Sequence, residues 1–191
     1  MKLCGNIASS ILIIGCFHGD EPQGKYLIDE YLQNNPQANL CFIPCLNEYG
    51  FNNKIRTNSN GVDLNRNFPT KNWVRSKKDN FYGGAEPASE KETKFVISIV
   101  EQYKPKLILA LHAPYKVVNF DGEGRDIAEK ISKIIGYPVE ESIGYPTPGS
   151  FGTWAGIEKN IPTITLELDE ECDVKKLEEP VFKIFKLLEN Y

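Results

Sequence analysis

Two patterns of apolar and polar residues alternate along the chain. In the first pattern, short runs are almost wholly apolar, which is typical of strands covered on both faces. In the second, apolar residues recur every three or four positions, which predicts amphipathic helices. The predicted strands are residues 11–16, 39–44, 106–112 and 162–168. The predicted helices are residues 22 to about 34, 89–102, 125–135, 151–159 and 174–188.

Two long segments, residues 46–80 and 138–150, are polar or rich in Gly and Pro and show neither pattern. Loops of this length inside a compact domain are commonly functional. The alternation of strands and helices predicts the α/β class, as a three-layer α/β/α sandwich with a mostly parallel, mixed sheet. Because no linker divides the chain, we expect one domain over residues 1–191.

The composition narrows the classes of partner. The 191 residues are 41% hydrophobic and 25% charged, and the net charge is -4. Basic residues are dispersed except in residues 71–78, so we predict no nucleic-acid partner. No apolar run reaches 18 residues, so we predict no membrane partner either. The composition indicates no particular oligomeric state.

The cysteine pattern bears on the cellular location. Five cysteines without a CxxC spacing indicate reduced thiols rather than a disulfide framework or a thiolate zinc site. The stretch IIGC, ending at Cys16, is similar to the cleavage box of a bacterial lipoprotein. Asn6, Ser9 and Ser10 interrupt the preceding apolar region, and cleavage there would remove a predicted strand. We therefore predict a cytoplasmic protein.

Three titratable side chains follow or end predicted strands. His18 and His112, the only two histidines, come after the first strand and at the end of the third. Glu167 lies near the end of the fourth. In parallel sheets, ligands bind beyond the carboxyl ends of the strands. We therefore expect these three residues to converge at one edge of the sheet.

The residues around His18 predict a metal site. A catalytic zinc takes three protein ligands from imidazole and carboxylate groups and keeps a fourth position open. His18, Glu21 and His112 supply that set, and Gly19 permits a tight turn between the first two. Asp20 is the competing carboxylate, but its position next in sequence points its side chain elsewhere. Manganese or cobalt also suits such ligands.

Four motifs, in order along the chain, resemble those of the zinc carboxypeptidases of the funnelin family. They are HGDE, RTNSNGVDLNRNFP (56–69), LALHAP and TITLELDEE. The resemblance covers most of the chain and implies a zinc-carboxypeptidase-like fold with one Zn²⁺ per chain, held by His18, Glu21 and His112. It also implies that the chain is a metallopeptidase.

The same resemblance implies roles for residues outside the metal set. Glu167 is the expected general base and acid, which takes a proton from the attacking water and passes it to the leaving amine. Arg56 is expected to polarise the scissile carbonyl, and Asn65 with Arg66 to hold the substrate's free carboxylate. Asp63 is expected to orient the loop or Arg66.

Two further family features are less directly matched. Tyr145 corresponds to the tyrosine that caps the substrate, with Tyr137 as the alternative. Phe151 and Thr153 fall where the family lines its specificity pocket. No acidic residue is evident there in the sequence to hold the ammonium of a basic side chain.

Within the family, GVDLNRNFP and GYPTPGSFGTWAG (144–156) look most like the branch that acts on murein peptides. That resemblance implies hydrolysis of the bond between γ-D-glutamate and meso-diaminopimelate in a small muropeptide, during peptidoglycan recycling. One alternative is an N-acyl amino acid deacylase of the aspartoacylase and succinylglutamate desuccinylase type. Another is a non-catalytic module that binds carboxylate-ended peptides, against which the complete ligand set and Glu167 argue.

Overall fold

Seven strands form one mixed sheet in this computed structural model, which describes residues 1–142 and 144–191. They are β1 (Cys4–Gly5), β2 (Ile11–Gly15), β3 (Cys41–Ile43), β4 (Leu107–His112), β5 (Val117–Asp121), β6 (Val139–Glu140) and β7 (Thr163–Glu167). Their order in the sheet is β1-β3-β2-β4-β7-β5-β6. The four central strands, β3, β2, β4 and β7, run parallel. β1 pairs antiparallel with β3, and β5 pairs antiparallel with β7.

Helices cover both faces of the sheet. They are α1 (Gln23–Asn34), α2 (Glu48–Asn53), α3 (Lys91–Tyr103), α4 (Arg125–Ile135) and α5 (Lys175–Glu189), with a 3-10 turn at Leu64–Arg66 and a π-helical segment at Thr153–Glu158. One apolar core joins α1, α4 and α5 to one face. A second core joins α3 and the π-helical segment to the other face. The predicted three-layer α/β/α sandwich with a mixed sheet is therefore confirmed.

Strand β2 is apolar without interruption because both of its faces are buried. Ile11 and Ile13 pack in the core under α1 and α5, whereas Leu12 and Ile14 pack in the core on the α3 side. Successive strand residues point to opposite faces, and helices cover both faces, so every position in β2 is buried. The predicted positions of β2, β3, β4 and β7 are confirmed, as are α1, α3, α4 and α5.

Four elements were not predicted: β1, β5, β6 and α2. Strand β5 is short, with two polar residues among five, and it is stabilised by antiparallel pairing with β7 at five consecutive positions. Its apolar residues Val118 and Phe120 pack on the α4 side. Helix α2 lies inside the long polar segment and is capped at its start by Asn47, whose side-chain oxygen accepts a hydrogen bond from Gly50 N. This N-cap hydrogen bond stabilises the start of α2, although the segment shows no apolar periodicity that would predict a helix.

The polar loop after β3 packs closely against the turn that carries His18. The Asn47 amide donates hydrogen bonds to the carbonyls of Phe17 and Arg56 at 3.4 and 3.0 Å. A Cβ at Gly19 would lie 1.9 Å from the Gly50 carbonyl carbon, so only glycine fits there. In the part of the chain that the structure describes, no helix is both long and apolar enough to span a membrane.

Candidate functional site

The edge of the sheet at the carboxyl ends of β2, β4 and β7 carries the predicted chemical groups. His18 follows β2 by three residues, and His112 and Glu167 are the last residues of β4 and β7. His112 and Glu167 are direct partners in the β4–β7 pairing. All three side chains are buried. The predicted convergence of these residues is confirmed.

His18, Glu21 and His112 form a compact cluster at this edge. Their ligating atoms all lie within 4.8 Å of one another. The Glu21 carboxylate lies between the two rings, with Oε1 2.7 Å from His18 Nδ1 and Oε2 2.9 Å from His112 Nδ1. Asp20 is exposed and is not part of the cluster. Two imidazoles and one carboxylate are the ligand set of a catalytic zinc site.

Asp63 contacts the ring nitrogen of His18 that Glu21 does not contact. Its Oδ1 lies 3.0 Å from His18 Nε2, and its Oδ2 accepts hydrogen bonds from Arg56 Nε and Nη2 at 3.0 and 2.9 Å. Oδ1 also accepts from the backbone N–H of Asn65 at 2.8 Å. A carboxylate behind a metal-ligating histidine sets the orientation of its ring. Asp63 therefore orients both His18 and Arg56. The sequence did not indicate these contacts of Asp63.

The buried charges of the cluster shift one another's pKa values. Burial alone would lower the pKa of His18, but the carboxylates of Glu21 and Asp63 outweigh it and raise this pKa to about 9. Burial acts to raise the pKa values of Glu21 and Asp63. His18 and the neighbouring cationic side chains nevertheless hold both pKa values well below their usual range. The carboxylates are thus ionised at neutral pH.

Glu167 differs from the other carboxylates of the site. It is 5% exposed, and its Oε2 has no hydrogen-bond partner among the described residues. Burial is the main cause that raises the pKa of Glu167. An ionised carboxylate without a partner is costly to bury. Glu167 can therefore accept a proton, or a hydrogen bond from a ligand, at this oxygen.

A cleft of about 240 Å³ joins these groups to the other predicted site residues. Its lining includes His18, Glu21, Arg56, Asn65, Arg66, Phe81, His112, Tyr115, Tyr145, Glu167 and Glu170. Asn65 Oδ1 accepts a hydrogen bond from the backbone of Phe151 at 2.8 Å, and Arg66 Nη1 donates to the Asn65 carbonyl at 2.7 Å. These contacts fix both side chains at the wall of the cleft.

An aromatic ring that sequence reasoning missed lies between the two arginines of the cleft. The ring centroid of Phe81 is 5.1 Å from the Arg56 guanidinium carbon and 5.9 Å from that of Arg66. Guanidinium groups at such distances from an aromatic ring are stabilised by its electron density. Phe81 follows a polar segment without periodicity, so no sequence signal pointed to it.

Of the two candidate capping tyrosines, Tyr145 lies at the cleft. It is 39% exposed, and its ring centroid is 6.5 Å from that of Tyr115, which also lines the cleft. Tyr137 packs against the apolar core, and its carbonyl accepts a hydrogen bond from the Ser132 hydroxyl. The geometry therefore favours Tyr145 over Tyr137 for any contact with a ligand.

A smaller side pocket of about 110 Å³ opens beside Glu167. Its lining includes Asn65, Asn119, Asp121, Glu141, Tyr145, Ser150, Gly152, Thr165 and Glu167. Ser150 and Gly152 line it instead of Phe151 and Thr153, because Phe151 is buried in the core. The sequence showed no acidic residue for this pocket, and that expectation was wrong. Strand β5, which was not predicted, brings Asp121 into its wall.

Comparisons with known proteins agree with this geometry. The zinc carboxypeptidase family (peptidase M14) matches residues 7–124, which include all three residues of the His/Glu/His cluster. Murein peptide amidase A of Vibrio campbellii (strain ATCC BAA-1116) is 33% identical over 177 residues, covering 82% of this chain and 68% of that protein. The Escherichia coli (strain K12) protein of the same name is 29% identical over 191 residues, covering 93% of this chain and 78% of that protein.

A solved structure supports the same grouping. The crystal structure of murein-tripeptide amidase MpaA from Escherichia coli O157 has a TM-score of 0.83 and 27% sequence identity, covering 97% of this chain and 83% of that one. The family match spans more than half of the chain, and the similar fold extends to nearly all of it. The chain therefore belongs to the zinc carboxypeptidase family, whose enzymes hydrolyse peptide bonds.

Proposed function

We propose that this chain is a zinc-dependent amidase that hydrolyses the bond between γ-D-glutamate and meso-diaminopimelate in murein tripeptide. The observation that carries the proposal is the position of Glu167, buried with an unpartnered oxygen beside the cluster of His18, Glu21 and His112. A module that only bound peptides would have no use for a buried carboxylate with an unpartnered oxygen at this place, because burying such a group lowers stability.

The donor set fits one zinc ion per chain. His18, Glu21 and His112 supply two imidazole nitrogens and a carboxylate within 4.8 Å of one another, and Asp63 holds the His18 ring from behind. When bound in such a site, zinc lowers the pKa of water and polarises a carbonyl group.

Glu167 and Arg56 would carry out the remaining chemistry. Burial raises the pKa of Glu167, which suits a group that takes a proton from the attacking water and returns it to the leaving nitrogen. Arg56 is held by two hydrogen bonds from its guanidinium to Asp63. That fixed cation would donate hydrogen bonds to the scissile carbonyl oxygen as negative charge develops on it.

Asn65, Arg66 and Tyr145 would bind the residue on the leaving side. Arg66 is a buried, permanently charged donor that matches a carboxylate in shape and charge. Asn65 borders both the cleft and the side pocket, and so does Tyr145. A substrate whose free carboxylate meets Arg66 would place its side chain in the side pocket and its scissile bond at Glu167.

The names of the relatives support the substrate class, since two are murein peptide amidases and one solved neighbour is a murein-tripeptide amidase. These are properties of those proteins, and the proposed bond follows here by similarity. A small muropeptide is accordingly the proposed partner. The cytoplasmic location and the single domain over residues 1–191 stay predictions.

Substrate profiling of the zinc-loaded protein tests the proposal. The panel contains L-Ala-γ-D-Glu-meso-diaminopimelate, ordinary peptides with C-terminal lysine or phenylalanine, and N-acetyl and N-succinyl amino acids. Mass spectrometry is expected to detect free diaminopimelate and the L-Ala-D-Glu dipeptide, with no release after zinc is removed by a chelator. Hydrolysis of only the N-acyl amino acids would instead establish a deacylase. Peptide binding without hydrolysis would establish a binding module.

A further inference from the structure

Asp20 lines the cleft but takes no part in the His/Glu/His cluster or in the proposed chemistry. Its side chain is exposed, and within residues 1–142 and 144–191 its carboxylate forms neither a hydrogen bond nor an ion pair. The two arginines of the cleft have other partners, since Arg56 pairs with Asp63 and Arg66 donates to a backbone carbonyl. The carboxylate of Asp20 is therefore available to a cationic group of a ligand in the cleft.

The turn that carries Asp20 is fixed on both sides of this residue. The backbone N–H of Glu21 donates to the carbonyl of His18 at 3.3 Å, and that of Gly19 donates to the carbonyl of Arg56 at 3.4 Å. Gly19 also packs against the backbone of α2 at a distance that excludes a Cβ. The position of Asp20 relative to the His/Glu/His cluster is thus set by the backbone of the turn.

Asp20 lies away from the pocket assigned to the leaving residue. It lines the cleft but not the side pocket beside Glu167. Consecutive Cα atoms are about 3.8 Å apart, so the Cα of Asp20 is within about 8 Å of that of His18. In an extended L-Ala-γ-D-Glu group, the alanine nitrogen lies about 8 Å from the scissile carbonyl carbon. The amino end of the acyl part therefore reaches Asp20 when that carbonyl lies beside the cluster.

Glu170 is the other exposed acidic residue in the lining of the cleft. It follows β7 by three residues and also borders a cavity of about 610 Å³ outside the cleft, next to Tyr26 and Phe51. Asp20 does not line this outer cavity. Of the two acids, Asp20 is therefore the one that is held close to the cluster and directed to the cleft.

We propose that Asp20 is a specificity-determining residue that accepts the free amino-terminal ammonium group of the peptide substrate. The inference rests on the proposed function, in which Arg66 holds the carboxylate of the leaving residue at the other end of the peptide. The two ends of the peptide then meet charges of opposite sign. A peptide whose terminal amino group is absent or acylated lacks the ion pair with Asp20 and is a poorer substrate.

Two matched peptides test the inference. L-Ala-γ-D-Glu-meso-diaminopimelate and propionyl-γ-D-Glu-meso-diaminopimelate differ only in the α-ammonium group of the alanine. We expect the zinc-loaded wild type to show a kcat/KM about 3- to 10-fold higher for the alanyl peptide. This preference should narrow between about 0.05 and 0.5 M salt, because salt screens an exposed ion pair. A change in binding of the shared part of the peptides would not alter their ratio.

The variants assign the preference to one residue. Asp20→Asn is expected to lower kcat/KM for the alanyl peptide by about 3- to 10-fold and to leave the propionyl peptide within about twofold. Glu170→Gln, which removes the other exposed negative charge of the cleft, is expected to keep the preference. Because Asp20 is exposed, its variant should fold and retain one zinc ion per chain.

The outcomes separate this inference from the proposed function. Equal hydrolysis of both peptides by the wild type would overturn the role of Asp20 and leave the amidase activity standing. The same conclusion would follow if Asp20→Asn kept the preference, or if Glu170→Gln lost it in place of Asp20→Asn. Failure of the loaded wild type to hydrolyse any γ-D-glutamyl peptide would overturn the proposed function and this inference together.

Discussion

His112 and Glu167 face each other as direct partners on the parallel strands β4 and β7. One belongs to the His/Glu/His cluster and the other carries the unpartnered buried oxygen. The backbone hydrogen bonds of the sheet, rather than a loop, set the spacing between these two groups. Strand pairing of this kind keeps a site rigid while loops supply the remaining contacts.

The first prediction concerns Glu167 as the proton acceptor. Glu167→Gln keeps the size of the side chain but removes its basicity, so kcat for the preferred peptide should fall by about 1000-fold. Zinc content, measured by elemental analysis, should stay at one ion per chain. Glu170→Gln is the control, because Glu170 also lines the cleft but is exposed. A Glu167→Gln enzyme with near wild-type kcat would exclude this role.

The second prediction concerns Asp63 as the group that orients His18. Asp63→Asn weakens the contact with His18 Nε2 and the pairing with Arg56, so zinc affinity should fall by about 10- to 100-fold. Competition with a fluorescent chelator measures this change. Asp20→Asn removes an exposed charge from the same cleft and should leave the affinity nearly unchanged. Equal affinities in the two variants would contradict the orienting role.

The third prediction concerns the turn between His18 and Glu21. Gly19→Ala would place a Cβ 1.9 Å from the backbone of Gly50, and no change of rotamer relieves a backbone contact. The free energy of unfolding should therefore fall by about 2 kcal/mol or more, together with zinc affinity. Denaturant unfolding of the zinc-free protein measures the first effect. Asp20→Ala, at the exposed neighbouring position, should show neither loss.

The fourth prediction concerns the stability contributed by Asp121. Burial raises the pKa of Asp121 from 3.8 to about 6, so the folded protein holds this proton more tightly than the unfolded chain does. The stabilisation by that proton is fully present below about pH 4 and is lost as the pH rises through 6. Glu141 and Glu167, which line the same cavity, carry charge of the same sign.

Asp121→Asn removes the ionisation and should therefore stabilise the zinc-loaded protein at pH 8 by about 1 to 3 kcal/mol. At pH 4 the variant and the wild type should be equally stable. Unfolding curves at the two pH values measure the difference, with Glu123→Gln as the control for net charge. A variant less stable than the wild type at pH 8 would show that the carboxylate has a structural partner.

The elements that could be predicted from sequence are those whose signal is local. β2 and β4 are apolar without interruption because helices cover both of their faces. In α1 and α4, apolar residues recur with the helical period because one face of each helix is buried. Strand β5 has no such signal. Two of its five residues, Asn119 and Asp121, are polar because they line a pocket, and its pairing partner is more than forty residues away in sequence.

The sequence by itself determined the framework and the cluster of His18, Glu21 and His112. A parallel sheet brings the ends of its apolar strands to one edge, so strand positions place His18 and His112 together, and the short turn after His18 adds Glu21. Only the tertiary structure decided that Asp63 orients His18 and that Asp121 enters the side pocket. Both results depend on contacts between segments distant in sequence, and such contacts leave no periodic pattern along the chain.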